Sequence, residues 1–248
     1  MEKIVVVSAN NNPDYLFYAP YIQKAWAKFG WKVCIMVTHD VDINKLDFNS
    51  KDGYIISLPE IKELREQTVA QASRLYAANV LPLDCYIMIS DIDLLPLSDY
   101  WKPDFDAITV YGYDLTWRSY YPMGYIGMTC DKWKKYMNLT ANIEADMLRD
   151  ARETKIAYSD NWEEWWNFDW DLVTKRLKPF EKDITFIDRG QIEIAGATLA
   201  RGRIDRYNWV ATQNQPEPFI DAHCENNNVQ HPDKLNKFIE VFKRFHNE

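Results

Sequence analysis

Long hydrophobic runs are absent from this 248-residue sequence. A membrane-spanning helix needs about 20 apolar residues, and the core of a signal peptide needs roughly 7 to 15. The N-terminal apolar run, Ile4–Val7, is shorter than either, and no later stretch reaches the length of a membrane span. We therefore expect a soluble, cytoplasmic protein with no stable insertion into a membrane.

Cysteine is scarce, and the four cysteines form no Cys-x-x-Cys pair. Cys34 and Cys85 lie inside apolar, strand-like runs, whereas Cys130 and Cys224 lie in the second half of the chain. We expect reduced, buried thiols rather than disulfide bonds.

An excess of basic residues is also lacking, because 29 Lys and Arg face 37 Asp and Glu, for a formal net charge of −8. Binding to nucleic acid through its phosphates needs a basic surface, so the composition argues against bulk nucleic-acid binding. One local basic cluster, Arg201, Arg203 and Arg206, lies in the segment ARGRIDR. It fits either a site for phosphates or a negatively charged acceptor, or a solvated loop.

The composition does provide for a globular core, with 47% hydrophobic and 27% charged residues. The first half alternates strand-like and helix-like segments. Predicted strands are Ile4–Val7, Val33–Val37, Tyr54–Ser57 and Cys85–Ser90, and predicted helices are Tyr15–Phe29 and one running from a Ser57–Glu60 capping box to about Val80. This alternation predicts an α/β fold with an open, mostly parallel sheet and covering helices.

The second half is less regular. Predicted strands are Ala107–Tyr111, Tyr125–Met128 and Ile184–Ile187, and predicted helices are Asp131–Asn138, Glu144–Arg152 and Asn161–Leu177. Leu235, Phe238, Ile239 and Phe242 follow the spacing of one helical face, which predicts an amphipathic C-terminal helix docked on the body.

The segment CYIMISDID, Cys85–Asp93, runs from an apolar strand directly into two aspartates. Ligands of open α/β sheets bind outside the carboxyl ends of the strands. If the strand geometry continues, Asp91 and Asp93 point to the same side, where their carboxylates repel each other. A divalent cation such as Mg²⁺ or Mn²⁺ relieves that repulsion and accepts substrate phosphates as further ligands. The alternative is a solvated loop with two surface aspartates.

The longer segment QASRLYAANVLPLDCYIMISDIDLLPL resembles the central segment of GT-A-fold glycosyltransferases, which use nucleotide-diphosphate sugars. It is most similar to the glycogenin and lipopolysaccharide-galactosyltransferase type. The resemblance implies a GT-A, Rossmann-like sheet with a smaller, irregular acceptor-side region. It also implies that Arg74 contacts the donor, that Asp91 contacts metal or ribose, and that Asp93 binds Mn²⁺ or Mg²⁺. Without the resemblance, Arg74 is an ordinary exposed helix charge.

NFDWDLVTKRL, Asn167–Leu177, resembles the acidic motif of the same enzymes and supplies the candidate catalytic residues Asp169 and Asp171. A motif of retaining enzymes fits both aspartates, with Trp170 in place of Gln. A motif of inverting enzymes makes Asp169 the general base, with Phe168 in place of Glu. Desolvation by neighbouring aromatics would raise the pKa of Asp169 and suit it to that role. The stereochemical outcome stays open, as does a structural role for both carboxylates.

His223, in the segment DAHCENN, lies where the resemblance implies a third metal ligand, followed by a flexible segment that closes over the phosphates. Imidazole and two carboxylates are a reasonable ligand set for Mn²⁺. The competing His231 precedes Pro232, and we assign it to the start of the last helix.

Further donor contacts are predicted from position. Ser8, Ala9 and Asn10, with Asn11 next to them, end the first strand and should lie beside the nucleotide base. His39 and Asp40 end the second strand and should face the base as well; the alternative is that these Asn and Asp residues are ordinary turn residues. Gly124, in YPMGYIGM, matches the strand that lines the donor sugar in related enzymes and would let the backbone approach it closely.

The aromatic run between positions 162 and 170 has two interpretations. Trp162, Trp165 and Trp166 have the spacing of a core stripe, and Trp162 or Trp170 could instead face an acceptor. We expect two of these residues in the core and one exposed.

Together these features predict a single GT-A domain over 1–248, with a nucleotide-binding half at 1–100 and an acceptor-side half at 101–248. The predicted activity is metal-dependent transfer of a sugar from a nucleotide-diphosphate donor to a hydroxyl acceptor. A UDP-sugar is the favoured donor because of the resemblance to the glycogenin and lipopolysaccharide-galactosyltransferase type. The acceptor can be a glycan, a lipid-linked sugar, a protein or a modified base. The alternatives are a non-catalytic carbohydrate- or nucleotide-binding protein on the same fold, and an Asp-x-Asp phosphotransferase.

Overall fold

The computed structural model describes residues 1–112, 120–225 and 230–246. The strands of its central sheet are β1 (Glu2–Ala9), β2 (Lys32–Val37), β3 (Gly53–Ser57), β4 (Cys85–Ile89), β6 (Ile108–Tyr111), β7 (Ile126–Thr129) and β8 (Ile184–Ile187), and the short β5 (Leu94–Pro96) follows β4. Within the described ranges the sheet has seven strands, in the spatial order β3-β2-β1-β4-β7-β6-β8.

The sheet is mostly parallel, as the alternating sequence predicts. Strands β3, β2, β1 and β4 run parallel, and β8 runs parallel to β6. Only β7, among the described strands of this sheet, is antiparallel to its neighbours. Because β1 and β4 run side by side, with Val6 opposite Ile89, their carboxyl ends lie at the same edge of the sheet.

Helices cover both faces of the sheet. They are α1 (Pro13–Leu16), α2 (Ala19–Lys28), α3 (Glu66–Ser73), α4 (Cys130–Tyr136), α5 (Ile143–Thr154), α6 (Trp162–Trp166), α7 (Phe168–Leu177), α8 (Trp209–Gln213) and α9 (Pro232–His246). Ile4 and Val6 of β1 face the core that contains α3, α4, α5 and α7, whereas Val5 and Val7 face the core that contains α2 and α9. This alternation explains why β1 is apolar at every central position.

A smaller sheet lies beside the central one and brings the C-terminal part of the chain to the end of β4. It consists of β11 (Arg203–Ile204), β12 (Asp221–His223) and β5, with β12 antiparallel to β5. A separate hairpin joins β9 (Gln191–Ile194) to β10 (Ala197–Ala200). These short elements form the irregular region expected for the second half.

Three predicted helices have different bounds. The helix expected from a cap at Ser57 begins only at Glu66, because Ser57 pairs with Val37 in the sheet and the next amide, that of Leu58, donates to Val37 O at 2.9 Å. The backbone at the proposed cap is therefore part of the sheet ladder, and the capping-box prediction is wrong.

The expected helix over Asn161–Leu177 is divided into α6 and α7. At the junction, the side-chain amide of Asn167 donates to Glu163 O. In a continuous helix, the backbone amide of Asn167 would donate to that carbonyl. Such side-chain competition with the backbone is typical of Asn. The expected helix over Tyr15–Phe29 is likewise divided, since Pro20 has no amide to continue α1 into α2.

The four cysteines are buried free thiols, as predicted. Among the helices of the described ranges, none combines the length and the apolar character needed to cross a membrane.

Candidate active site

The two aspartates of the Asp-x-Asp segment lie in a turn between β4 and β5. Strand β4 ends at Ile89, and the amide of Leu94 donates to Asp91 O at 3.2 Å. The strand geometry therefore does not continue through the pair, contrary to the expectation that both carboxylates point to one side. Each carboxylate instead meets a different arginine.

Asp91 is paired with Arg74, which belongs to a 3₁₀ turn that follows α3. Arg74 Nη1 donates to Asp91 Oδ1 and to Ser90 O, the latter at 3.0 Å, and Nη2 donates to Asp169 Oδ2 at 2.8 Å. Arg74 is buried, so it is not an ordinary exposed helix charge. Burial opposes the ionisation of Asp91, but the charge of Arg74 outweighs it and holds the pKa of Asp91 below its usual value.

Asp169 lies at the start of α7, fully buried, and both of its carboxylate oxygens accept hydrogen bonds. Oδ2 accepts from Arg74, and Oδ1 accepts from the amide of Trp170 at 2.8 Å. Burial raises the pKa of Asp169 to about 6, although Arg74 opposes that change. Asp171 is half-buried, and burial raises its pKa as well, against the opposing charge of Lys175. Asp171 is thus the more accessible of the two carboxylates.

Asp93 is buried and faces the small sheet. Its Oδ2 lies 3.1 Å from Arg206 Nη1, and its backbone carbonyl accepts from the amide of Cys224 at 2.8 Å. Burial and the neighbouring Asp91 carboxylate raise the pKa of Asp93 to about 6, with Arg206 acting in the opposite direction.

His223 reaches the same oxygen from β12, where it lies opposite Leu94 of β5. Its Nε2 is 3.8 Å from Asp93 Oδ2. Burial, together with the charges of Arg203 and Arg206, lowers the pKa of His223 to about 3. The imidazole is therefore neutral at physiological pH, which is the form that binds a metal.

A buried ion cluster fixes the strand that carries His223. Asp221, two residues earlier, accepts from Arg189 at 2.6 and 2.8 Å, from Arg203 at 2.8 and 3.1 Å, and from Tyr125 Oη at 2.9 Å. These contacts hold the pKa of Asp221 well below its usual range in spite of its burial. Sequence reasoning missed Arg189, Tyr125 and this role of Asp221, because only the tertiary fold brings the three residues together.

Solved structures share this architecture. The galactosyltransferase LgtC, in complex with donor and acceptor sugar analogues, matches with a TM-score of 0.55 and 14% identity, covering 98% of this chain and 96% of LgtC. An active-site variant of LgtC matches with a TM-score of 0.54 and 14% identity, covering 96% and 94% of the two chains. The chain has the GT-A fold.

A variant of Drosophila beta-1,4-galactosyltransferase 7, in complex with manganese, UDP-Gal and xylobiose, is more distant. It matches this GT-A chain with a TM-score of 0.47 and 14% identity, covering 93% of this chain and 74% of that one. The chain matches no family model and no curated protein.

The predicted metal ligands of this GT-A chain fit a divalent cation in part. The separation of 3.8 Å between Asp93 Oδ2 and His223 Nε2 suits two ligands of one ion, since each ligand lies about 2.1 Å from such an ion. Asp91 is held by Arg74 instead. No group of three Asp, Glu, His or Cys side chains in the described part of the chain is arranged to hold a metal. One carboxylate and one imidazole still suffice where substrate phosphates complete the shell.

The predicted donor-binding residues lie near this edge of the GT-A sheet. Ser8 and Ala9 end β1, and Asn10 follows, half-buried. A cavity of about 630 Å³ beyond β1 and β2 is lined by residues that include Asn11 and Asp40. Gly124 lies against the residue that follows Asp93, because a β-carbon added there would be 3.2 Å from Leu94 Cδ1.

The aromatic run of α6 does not form a core stripe. Trp162 and Trp166 are 62% and 42% exposed, and Trp165 and Trp170 are half-buried. The expectation that two of these tryptophans lie in the core is wrong, because α6 is a short helix that ends before the chain turns into the buried α7.

His231 precedes α9, as predicted, and its carbonyl accepts from the amides of Lys234 and Leu235 at 3.0 and 3.1 Å. The segment after His223, which is expected to close over the phosphates, includes residues 226–229, which lie outside the described residues.

Proposed function

We propose that this protein is a metal-dependent glycosyltransferase that moves a sugar from a nucleotide-diphosphate donor, with UDP-sugar favoured, to a hydroxyl acceptor. The observation that carries the proposal is the pairing of Asp93 with a neutral His223, at 3.8 Å, outside the end of β4 in a GT-A fold. That edge is where open α/β sheets bind their ligands. LgtC, a structural neighbour that matches nearly the whole chain, was solved with donor and acceptor sugar analogues.

Asp93 and His223 would hold the cation, Mn²⁺ or Mg²⁺, with oxygens of the donor diphosphate as further ligands. A bound divalent cation supplies Lewis-acid stabilisation of the charge that develops on a leaving diphosphate. Asp91 keeps its place beside the donor ribose or the metal through its ion pair with Arg74. Arg74 is itself fixed by Asp169, so the three residues act as one preorganised unit.

The donor nucleoside is assigned to the half of the domain formed by residues 1–100. Ser8 and Ala9 end β1 at the required edge, with Asn10 directly after them, and the adjoining cavity of about 630 Å³ is of the size that small ligands occupy. Gly124 packs against Leu94, next to Asp93, and we assign its backbone to the wall of the donor-sugar site. Arg74 lies between the carboxylates of Asp91 and Asp169, and we assign it to the donor side of the site.

The acceptor side is assigned to residues 101–248. An attacking hydroxyl needs a carboxylate to take its proton, or, in a retaining reaction, a residue that supports the intermediate. Asp169 and Asp171 are the candidates. Asp171 is the accessible carboxylate, whereas Asp169 is fully buried and both of its oxygens already accept hydrogen bonds. The exposed faces of Trp162 and Trp166 offer a stacking surface for an acceptor sugar.

Calorimetric titration with UDP, and separately with GDP, tests the proposal. Each nucleotide is titrated with and without Mn²⁺ into the wild type, Asp93→Ala and Asp99→Ala, in which a surface carboxylate paired with Lys102 is removed as the control. We expect one nucleotide to bind in a Mn²⁺-dependent manner to the wild type and to Asp99→Ala, but not to Asp93→Ala. Absence of binding to the wild type under all conditions would contradict a donor site. Binding without donor hydrolysis or transfer would indicate a non-catalytic binding protein.

A further inference from the structure

The three arginines of ARGRIDR have different partners. Arg201 is exposed and lies 3.4 Å from Glu217 at the surface, and Arg203 is committed to the buried Asp221 through two hydrogen bonds. Only Arg206, of these three, reaches an acidic residue of the candidate active site, with Nη1 3.1 Å from Asp93 Oδ2.

Arg206 and His223 share one oxygen of Asp93. The distance to Arg206 Nη1 is 3.1 Å and the distance to His223 Nε2 is 3.8 Å, both measured from Oδ2. A divalent cation on that oxygen would lie about 2.1 Å from it and would repel a guanidinium held so close. Metal at Asp93 and the present position of Arg206 are therefore mutually opposed.

The backbone around Arg206 is held by contacts that do not involve Asp93. Asp205 anchors the loop between β11 and α8, since its amide donates to Thr212 Oγ1 at 3.1 Å and its carboxylate accepts from the Tyr207 amide at 2.9 Å. The Arg206 side chain is only half-buried, and its guanidinium lies 5.3 Å from the exposed ring of Tyr207.

We propose that Arg206 is a counter-ion that exchanges partners: it neutralises Asp93 while the site is empty, and it binds the donor diphosphate when a divalent cation takes its place on Asp93. The inference rests on the proposed function, because it requires a diphosphate donor. The planar guanidinium matches paired phosphate oxygens, and the charge it loses at Asp93 is replaced by a diphosphate that carries at least two negative charges. Metal and donor then bind as mutually dependent ligands.

The exchange predicts effects of opposite sign for one substitution. In Arg206→Gln, Mn²⁺ alone no longer competes with a guanidinium and should bind about tenfold more tightly, whereas UDP in the presence of Mn²⁺ should bind about tenfold more weakly. The affinity for UMP, which lacks the second phosphate, should decrease less than the affinity for UDP in this variant. Free Mn²⁺ is measured by electron paramagnetic resonance and nucleotide binding by calorimetry; GDP replaces UDP if the wild type selects it.

Two variants serve as controls. Arg201→Gln removes a charge from the same segment without touching Asp93, and both affinities should match those of the wild type. Arg206→Lys keeps a positive charge beside Asp93, so it should fold and should weaken UDP binding with little gain in Mn²⁺ affinity. It tests the inference if Arg206→Gln does not fold.

Unchanged affinities in Arg206→Gln, or a change of Mn²⁺ and UDP affinity in the same direction, would overturn the exchange while leaving the proposed function intact. A wild type that binds neither UDP nor GDP would overturn the proposed function itself. In that case the Mn²⁺ measurement still decides whether Arg206 competes for Asp93.

Discussion

Arg74 Nη2 donates to Asp169 Oδ2 at 2.8 Å, which joins two buried residues 95 positions apart in the chain. The same guanidinium holds Asp91 through its other terminal nitrogen. One arginine therefore links the turn after β4 to the first turn of α7. Arg74 thereby fixes the position of Asp91, which is expected to face the donor, relative to Asp169, which is expected to face the acceptor.

Replacement of Arg74 by Ala should destabilise the protein by about 3 to 5 kcal/mol, because it leaves a fully buried Asp169 carboxylate without its counter-ion. Urea denaturation followed by tryptophan fluorescence measures the free energy of unfolding. Arg152→Ala, which breaks the exposed pair with Glu63, is the control and should leave the free energy of unfolding almost unchanged. An equal decrease in the free energy of unfolding for the two variants would show that the Arg74 ion pairs stabilise the fold no more than an exposed ion pair does.

Asp169 should give the protein a distinctive dependence of stability on pH. Its folded-state pKa of about 6 lies above the unfolded value of about 3.9, so the folded state binds the proton more tightly. The resulting stabilisation is present below about pH 4 and is lost as the pH rises through 6.

Asp169→Asn removes this titration. Between pH 4 and pH 7, the stability of the wild type relative to Asp169→Asn should fall by about 2 kcal/mol. Urea melts at unit pH intervals measure the difference, with Asp160→Asn as an exposed control. A difference that stays constant across this interval would contradict the raised pKa.

The sequence is sufficient to predict the central sheet and the order of its elements. The apolar runs of β1, β2 and β4 are buried on both faces, so each strand is marked by continuous hydrophobicity. The small sheet has no such mark, because β5 and β12 are three residues long and pair across more than a hundred positions. A period cannot be recognised in so short a strand.

The candidate site divides in the same way. Asp91, Asp93 and Arg74 are local in sequence and could be named from one segment, and His223 could be named from the family pattern. The partners that determine their electrostatics are distant: Arg206 is 113 positions from Asp93, and Arg189 is 32 positions from Asp221. Which arginine pairs with which carboxylate is decided by tertiary packing. The composition and the local spacing of the sequence do not reveal that pairing.

Asp221 should show the opposite dependence on pH from Asp169. Arg189 and Arg203 hold its pKa far below the unfolded value of about 3.9, so its contribution is present above about pH 4 and is lost only as the pH falls through the low folded value. Asp221→Asn leaves two guanidiniums without a carboxylate and should cost about 3 to 5 kcal/mol at pH 7.

The same substitution should also weaken Mn²⁺ binding, because Asp221 fixes the strand that carries His223. Thermal unfolding and Mn²⁺ titration of the folded variant measure the two effects. Glu217→Gln, which removes the surface partner of Arg201, is the control and should leave both unchanged. Loss of stability in Asp221→Asn with full Mn²⁺ affinity would separate the ion cluster from the site.

The exposed tryptophans of α6 give a prediction about the acceptor. Trp162 and Trp166 are exposed one helical turn apart on α6, which leads directly into α7, and the first turn of α7 carries the candidate catalytic carboxylates Asp169 and Asp171. Trp162→Ala should raise the KM for a glycan acceptor about fivefold to tenfold while leaving kcat, donor binding and stability unchanged, since an exposed indole loses only its contact with the ligand. Leu83→Ala, at a position equally exposed at 62%, controls for the removal of a surface apolar group. Initial rates over a range of acceptor concentrations measure the effect, and an unchanged KM in Trp162→Ala would place the acceptor away from α6.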